Sequence, residues 1–215
     1  MTLAVSLNPI DLAALLCSRI CHDLISPIGA IQNAMELYDE GGVDEDALQL
    51  VRSSVANASA RLQFARLAFG YSGTTGGKID TCFAEKVAQQ YMAEEKATLK
   101  WHAPSLLLAK DEVKLLLNLL LIANTTASRG GEVALIIFQD IDKSSFQFKI
   151  SGQGLRVPPR FIELYSGKIP EELIDAHIIQ FYYTVLLSEI TAMKISIHET
   201  DDYIILESIK RPRIE

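Results

Sequence analysis

The sequence predicts an α + α/β fold: a helical hairpin that pairs with a second copy into a dimeric four-helix bundle, followed by a two-layer α/β sandwich. Three observations carry this expectation. Apolar residues step by three and four through the first third of the chain, the period of a helical seam. A glycine-rich stretch, Gly70-Tyr71-Ser72-Gly73-Thr74-Thr75-Gly76-Gly77, then reads as a flexible linker. Beyond it, helical and alternating patterns interleave. The expected domains are residues 1–72 and 78–215.

In the first helix the seam runs Ala13, Cys17, Ile20, Leu24, Pro27, Ile31, Met35 and Tyr38. Gly41-Gly42 breaks it, and Asp44 caps the next helix. The second seam runs Leu48, Val51, Val55, Ala58, Leu62, Ala65 and Phe69. One hairpin cannot close such a seam against water, whereas two can. A homodimer through residues of about 8–71 follows from that requirement.

The second region opens with a helix over residues 84–96 and a short strand over 99–102. A very apolar helix spans 112–127, and Gly130-Gly131 turns the chain. Strands over 132–139 and 146–151 flank a turn at Asp142-Lys143-Ser144. A long helix is expected from 170 to 193, then a hairpin of 195–199 and 203–209 with Asp201-Asp202 at its bend. Helices and mostly antiparallel strands in this order suggest two layers. Trp101 and Tyr182-Tyr183 are expected to pack this region, and Lys210-Arg211-Pro212-Arg213 to be a solvated end.

The motif that carries chemistry is His22-Asp23-Leu24-Ile25-Ser26-Pro27-Ile28. A proline inside a helix removes one backbone donor and costs roughly 3 kcal/mol, so its placement calls for a reason. At about 100° per residue, His22 lies roughly 160° from Leu24, on the solvent side with Arg19, Ser26, Gly29 and Asn33. It is therefore not a core histidine. An ordinary surface histidine is the alternative, and the rest of the motif argues against it. An exposed imidazole with an adjacent carboxylate suits phosphoryl acceptance, because histidine titrates near neutrality.

Residues 9–71 resemble the dimerisation and histidine-phosphotransfer domain of bacterial sensor histidine kinases. That family's phosphoacceptor box has an acid after the histidine, a small polar residue four on and a proline five on, here Asp23, Ser26 and Pro27. The rest resembles the ATP-binding domain of those kinases in degenerate form. Asn118 matches the first magnesium-holding asparagine, but Ile122 stands at the second. Gly152-Gln153-Gly154 is present, but Ile150 replaces the adenine-reading aspartate. The phosphate loop corresponds to residues 172–179, which hold no glycine.

A phosphotransfer hairpin joined to a kinase-like domain without its nucleotide site is similar to the dimeric histidine phosphotransferases of alphaproteobacterial phosphorelays. The resemblance implies a relay. His22 would accept a phosphoryl group from the receiver domain of a hybrid histidine kinase and pass it to response-regulator receiver domains. Asp23 would orient the ring, with Arg19, Ser26 and Pro27 completing the motif. Ile25, Gly29 and Asn33 would flank the docked receiver. No cofactor is expected in the chain itself, since magnesium comes with the receiver's acidic pocket. The competing readings are an active histidine kinase and a non-catalytic dimeric scaffold or antikinase that binds receivers.

Composition sets further bounds. A net charge of −7 argues against a nucleic-acid surface. The apolar stretch 115–123 is interrupted by Asn118 and too short to span a bilayer. No secretion signal is evident, so the expected compartment is the cytoplasm. Cys17 and Cys21 sit one turn apart beside His22, but Cys17 shares the apolar stripe while His22 points out. Small buried thiols are expected rather than a metal site, with Cys82 distant in sequence.

Overall fold

The structure, a computed structural model, describes residues 6–41, 45–70, 77–140, 143–168 and 174–210. The turn residues 42–44 with Asp44, linker residues 71–76, the bend at Asp142, residues 169–173 and the tail after Lys210 lie outside the described residues. Helix α1 (Pro9–Gly41) and helix α2 (Glu45–Ala68) form the expected hairpin. Pro27 sits inside α1 without ending it, and its ring is buried. The missing proline donor leaves the carbonyl of Asp23, four residues back, without its helical partner.

Neither predicted seam is buried as one stripe in the single chain. On α1, Pro27 and Ala34 are buried, Ile20, Leu24, Ile31 and Tyr38 are half-buried, and Ala13, Cys17 and Met35 are exposed. On α2, Val55 and Leu62 stay exposed, while Phe64, Leu67 and Ala68 are buried off the predicted stripe. The reason is that α2 carries a second apolar face, which serves the other layer. The expectation of buried thiols is corrected as well: Cys17, Cys21 and Cys82 are all exposed. Helix α1 is also long and apolar enough, by length and composition, to cross a membrane. Its centre nevertheless carries the Arg19–Asp23 ion pair.

The second layer follows in order: β1 (Lys78–Asp80), α3 (Thr81–Met92), β2 (Ala97–His102), β3 (Leu107–Ala109), α4 (Lys110–Thr126), β4 (Gly131–Asp140), β5 (Lys143–Ser151), α5 (Pro159–Tyr165), α6 (Ile179–Ile190), β6 (Met193–Glu199) and β7 (Tyr203–Lys210). The main sheet runs β2-β4-β5-β7-β6, with β2 parallel to β4 and the other pairs antiparallel. β1 and β3 form a separate two-stranded ribbon that the sequence pattern did not reveal. Alternation places Val133, Leu135, Phe146, Phe148, Leu206 and Ile204 on the covered face of the sheet. Helix α4 is apolar nearly all round because it is enclosed, and it contacts α2, α3, α6 and β5.

The expected long helix over 170–193 is corrected. Among the described residues of that range, only Ile179–Ile190 is helical. Before it, Asp175 Oδ1 accepts from the backbone N–H groups of His177 at 2.9 Å and Ile178 at 3.0 Å. This Asx turn holds the chain outside the helix until Ile178. The Pro158-Pro159 pair starts α5, where a first-turn proline costs nothing.

Among the described residues, apolar packing joins the hairpin to the second layer at two places. Phe64, Leu67 and Ala68 enter the main core, with Phe64 and Tyr91 ring centroids 4.3 Å apart. At the start of α1, Leu12, Leu15 and Leu16 pack on Leu164, Ile174, Ile179 and Tyr182. There the Leu7 amide donates to the Tyr182 hydroxyl at 3.0 Å.

Candidate functional site

A cleft of about 350 Å³ opens between the two hairpin helices and the end of α3. Helix α1 lines it with His22, Asp23, Ser26, Pro27 and Ala30, spaced so that they share one side of the helix. Helix α2 contributes Ser53, Ser54, Asn57 and Arg61, and the residues after α3 contribute Glu94. The structure thus brings together four of the residues singled out by sequence: His22, Asp23, Ser26 and Pro27. Arg19 stands one turn behind them. Ile25, Gly29 and Asn33 lie outside the cleft lining. Ile25 is exposed, and a Cβ added at Gly29 would meet nothing within 4 Å, so no chain segment here needs that glycine.

Asp23 is held between two partners. Arg19 Nε donates to its Oδ2 at 2.9 Å, and His22 Nδ1 lies 3.5 Å from its Oδ1. The carboxylate is therefore fixed by the arginine, and the fixed carboxylate faces one nitrogen of the imidazole. The other nitrogen, Nε2, lies on the far side of the ring. The His22 side chain as a whole remains 65% exposed.

The opposite wall is polar and tied to the second layer. Arg61 Nε donates to Asn57 Oδ1 at 2.7 Å, and Arg61 also pairs with Glu95 at 3.0 Å. Asn124 Nδ2 donates to the other Glu95 oxygen at 3.0 Å. The guanidinium lies 5.4 Å above the Tyr91 ring, within cation–π range. Burial first, then the Glu95 carboxylate, pushes the Tyr91 phenol up to about 12, against the opposing pull of Arg61. The ring is therefore neutral near pH 7. Sequence reasoning missed Asn57, Arg61 and Glu94. Their only signal was the Asn57/Arg61 spacing of one helical turn, which has no meaning until α1 is laid beside it. Among the described residues, no group of three or more His, Cys, Asp or Glu is placed to hold a metal ion.

Asn118, Ile122, Ile150 and Gly152, compared by sequence with a nucleotide site, make the following contacts. Asn118 is fully buried, and its Nδ2 donates to Ala68 O at 3.1 Å and Lys114 O at 2.9 Å. Gln180 Nε2 donates to the Asn118 carbonyl at 3.0 Å. The side chain thus bonds the end of α2 to the second layer. Ile122 and Ile150 lie in the core. Gly152 has φ +156°, and a Cβ there would sit 2.6 Å from the Gly130 carbonyl oxygen. That glycine is required by the crossing of two turns. Before α6, the Asp175 carboxylate accepts from the backbone amides of His177 and Ile178.

Asn118→Ala should lower stability by about 1–3 kcal/mol, the cost of leaving the buried Ala68 carbonyl without its donor. The readout is a lower urea midpoint at unchanged slope. An unchanged midpoint would remove Asn118 from the joint between the layers.

Residues 83–203 match the family described as histidine phosphotransferase C-terminal domain. The chain is 53% identical over 208 residues to protein phosphotransferase ChpT of Brucella abortus (strain 2308), covering 97% of this chain and 100% of that protein. A solved structure of a bacterial phosphotransferase superposes with a TM-score of 0.90 at 53% identity, covering 96% of this chain and 100% of that one.

Proposed function

The chain belongs to the histidine phosphotransferase family, and on that premise we propose that it is a phosphorelay intermediate with His22 as its phosphoacceptor. The observation that carries the reading is His22 itself. It stands 65% exposed at a 350 Å³ cleft, with Nδ1 directed at a carboxylate that an arginine fixes.

In this reading a receiver's aspartyl phosphate enters the cleft. His22 Nε2 attacks phosphorus, the bond to the acyl oxygen breaks, and the receiver's carboxylate leaves with the electron pair. Nδ1 keeps its proton throughout, directed at Asp23. The ring becomes cationic as Nε2 takes phosphorus, and Asp23 compensates that charge. Phosphoryl transfer passes through a loose transition state, so positioning and charge compensation carry most of the catalysis. Magnesium belongs to the receiver. Transfer onward to a response regulator is the same step reversed on a second receiver.

A homodimer is part of the proposal. Ile10, Cys17, Cys21, Ile28 and Met35 step by seven and four along α1 and are all exposed. Ile28 is about 200° from Ser26, on the side of α1 away from the cleft. Val55 and Leu62, seven apart on α2, are exposed too. A heptad face left bare in one chain is what a second copy covers.

The test mixes the full chain with a phosphorylated receiver and looks for an acid-labile, base-stable phosphohistidine. Label is expected from the receiver and not from ATP, since the sequence departs from a kinase nucleotide site at Ile122, at Ile150 and in the glycine-free residues 172–179. Direct labelling by ATP would support the histidine kinase reading instead. Receiver binding without label would support a scaffold.

A further inference from the structure

The turn that leads into α6 is fixed at several points. Ile174 and Ile179 are buried against the first turns of α1. Asp175 holds the His177 and Ile178 amides. Tyr182, one turn into α6, is tied to the Leu7 amide. From this anchored turn the His177 ring reaches α1. Its centroid lies 5.4 Å from that of His22, with the two planes at 80°. This is the edge-to-face arrangement that ring quadrupoles favour.

We propose that His177 is a positioning residue for phosphoryl transfer at His22. It holds the His22 ring in one rotamer, with Nδ1 on Asp23 and Nε2 presented to the incoming phosphoryl group. The proposal rests on the reading of His22 as the acceptor. Asp23 alone is a loose guide, because 3.5 Å is the outer limit of a hydrogen bond. An exposed imidazole so held would turn about both side-chain torsions. A second ring, set at right angles and rooted in another layer, restricts both. In-line attack on phosphorus rewards that restriction, since misplacement of the nucleophile is costly.

Shielding of the acceptor is a poorer account of the contact. His22 keeps 65% of its side-chain surface exposed with His177 in place. His177 is itself exposed and is not part of the cleft lining, so it is not a packing residue of either core. The second layer thereby acquires a use that needs no nucleotide: it sets the angle of the imidazole on the first.

The test uses full-length His177→Ala and His177→Phe in single-turnover transfer from a phosphorylated receiver, over a range of receiver concentrations. His177→Ala should slow transfer at saturating receiver by about two- to tenfold, the rate equivalent of one edge-to-face ring pair. The half-saturating concentration should not move. His177→Phe, which keeps an edge and a face but no nitrogen, should restore most of the rate. The ring C–H resonances of His22 should shift in His177→Ala while the backbone resonances of α1 stay in place. A saturating rate unchanged in His177→Ala, an effect confined to half-saturation, or no rescue by phenylalanine would each overturn the proposal alone. A wild-type chain that takes no label would overturn the acceptor reading and, with it, this one.

Discussion

His22→Ala should take up no phosphoryl group from a phosphorylated receiver, while folding and receiver binding survive. Among the described lining residues the imidazole is the one group whose neutral form has a nitrogen lone pair able to attack phosphorus, so its loss removes the bond-forming atom and not merely a helper. The fold should not notice. The side chain is 65% exposed, and its contacts are Asp23 at 3.5 Å and the His177 ring. Exposed positions of this kind shift stability by no more than about 0.5 kcal/mol. Acid-labile label that persists in the variant would move the acceptor elsewhere, with His177 the first place to look. Asp23→Asn in the same assay should slow transfer about tenfold, because a neutral amide compensates the ring's charge less well than a carboxylate. The lost Arg19 pair is half-exposed and worth only about 0.2–1 kcal/mol. Full-rate transfer by Asp23→Asn would remove that residue from the chemistry.

The residues that the sequence made legible were local ones. His22, Asp23, Ser26 and Pro27 sit within two helical turns, so helix geometry alone places them on one side of α1. The hairpin, the apolar helix α4 and the terminal strand pair could be read for the same reason, since each follows from a period within one segment. What escaped was set by contacts between segments. Arg61 and Asn57 become cleft residues only when α2 lies beside α1. Phe64 and Ala68 look like off-stripe residues of a seam until the second layer is docked on them. The β1–β3 ribbon is two strands of three residues each, too short for alternation to register. α6 is shorter than the apolar pattern around it predicts, because the Asx turn at Asp175 holds residues 175–178 outside the helix. His177 carries no local sign at all, because its neighbour His22 belongs to the other end of the chain.

Ile28→Glu should convert a dimer into a folded monomer. In the single chain Ile28 is 54% exposed, so a glutamate there reaches water and costs the isolated hairpin little. In a four-helix bundle the same position faces the partner's helices, and the charge is buried without a counter-ion. Twofold symmetry places two such charges in one interface. Even about 2 kcal/mol per copy then weakens association by about a thousandfold, enough to move a nanomolar dimer into the micromolar range. Light scattering at micromolar protein reads the change directly, with circular dichroism expected to stay as in the wild type. A wild-type monomer, or a variant that remains dimeric, would sink the bundle. The cleft offers an independent check on the same variant. Within the single chain, α1, α2 and the residues after α3 already supply the described lining of the cleft. The monomeric variant should therefore still accept a phosphoryl group on His22. If uptake vanishes together with the dimer while the fold is kept, then the partner copy supplies part of the site, and a receiver must span both hairpins to deliver its phosphoryl group.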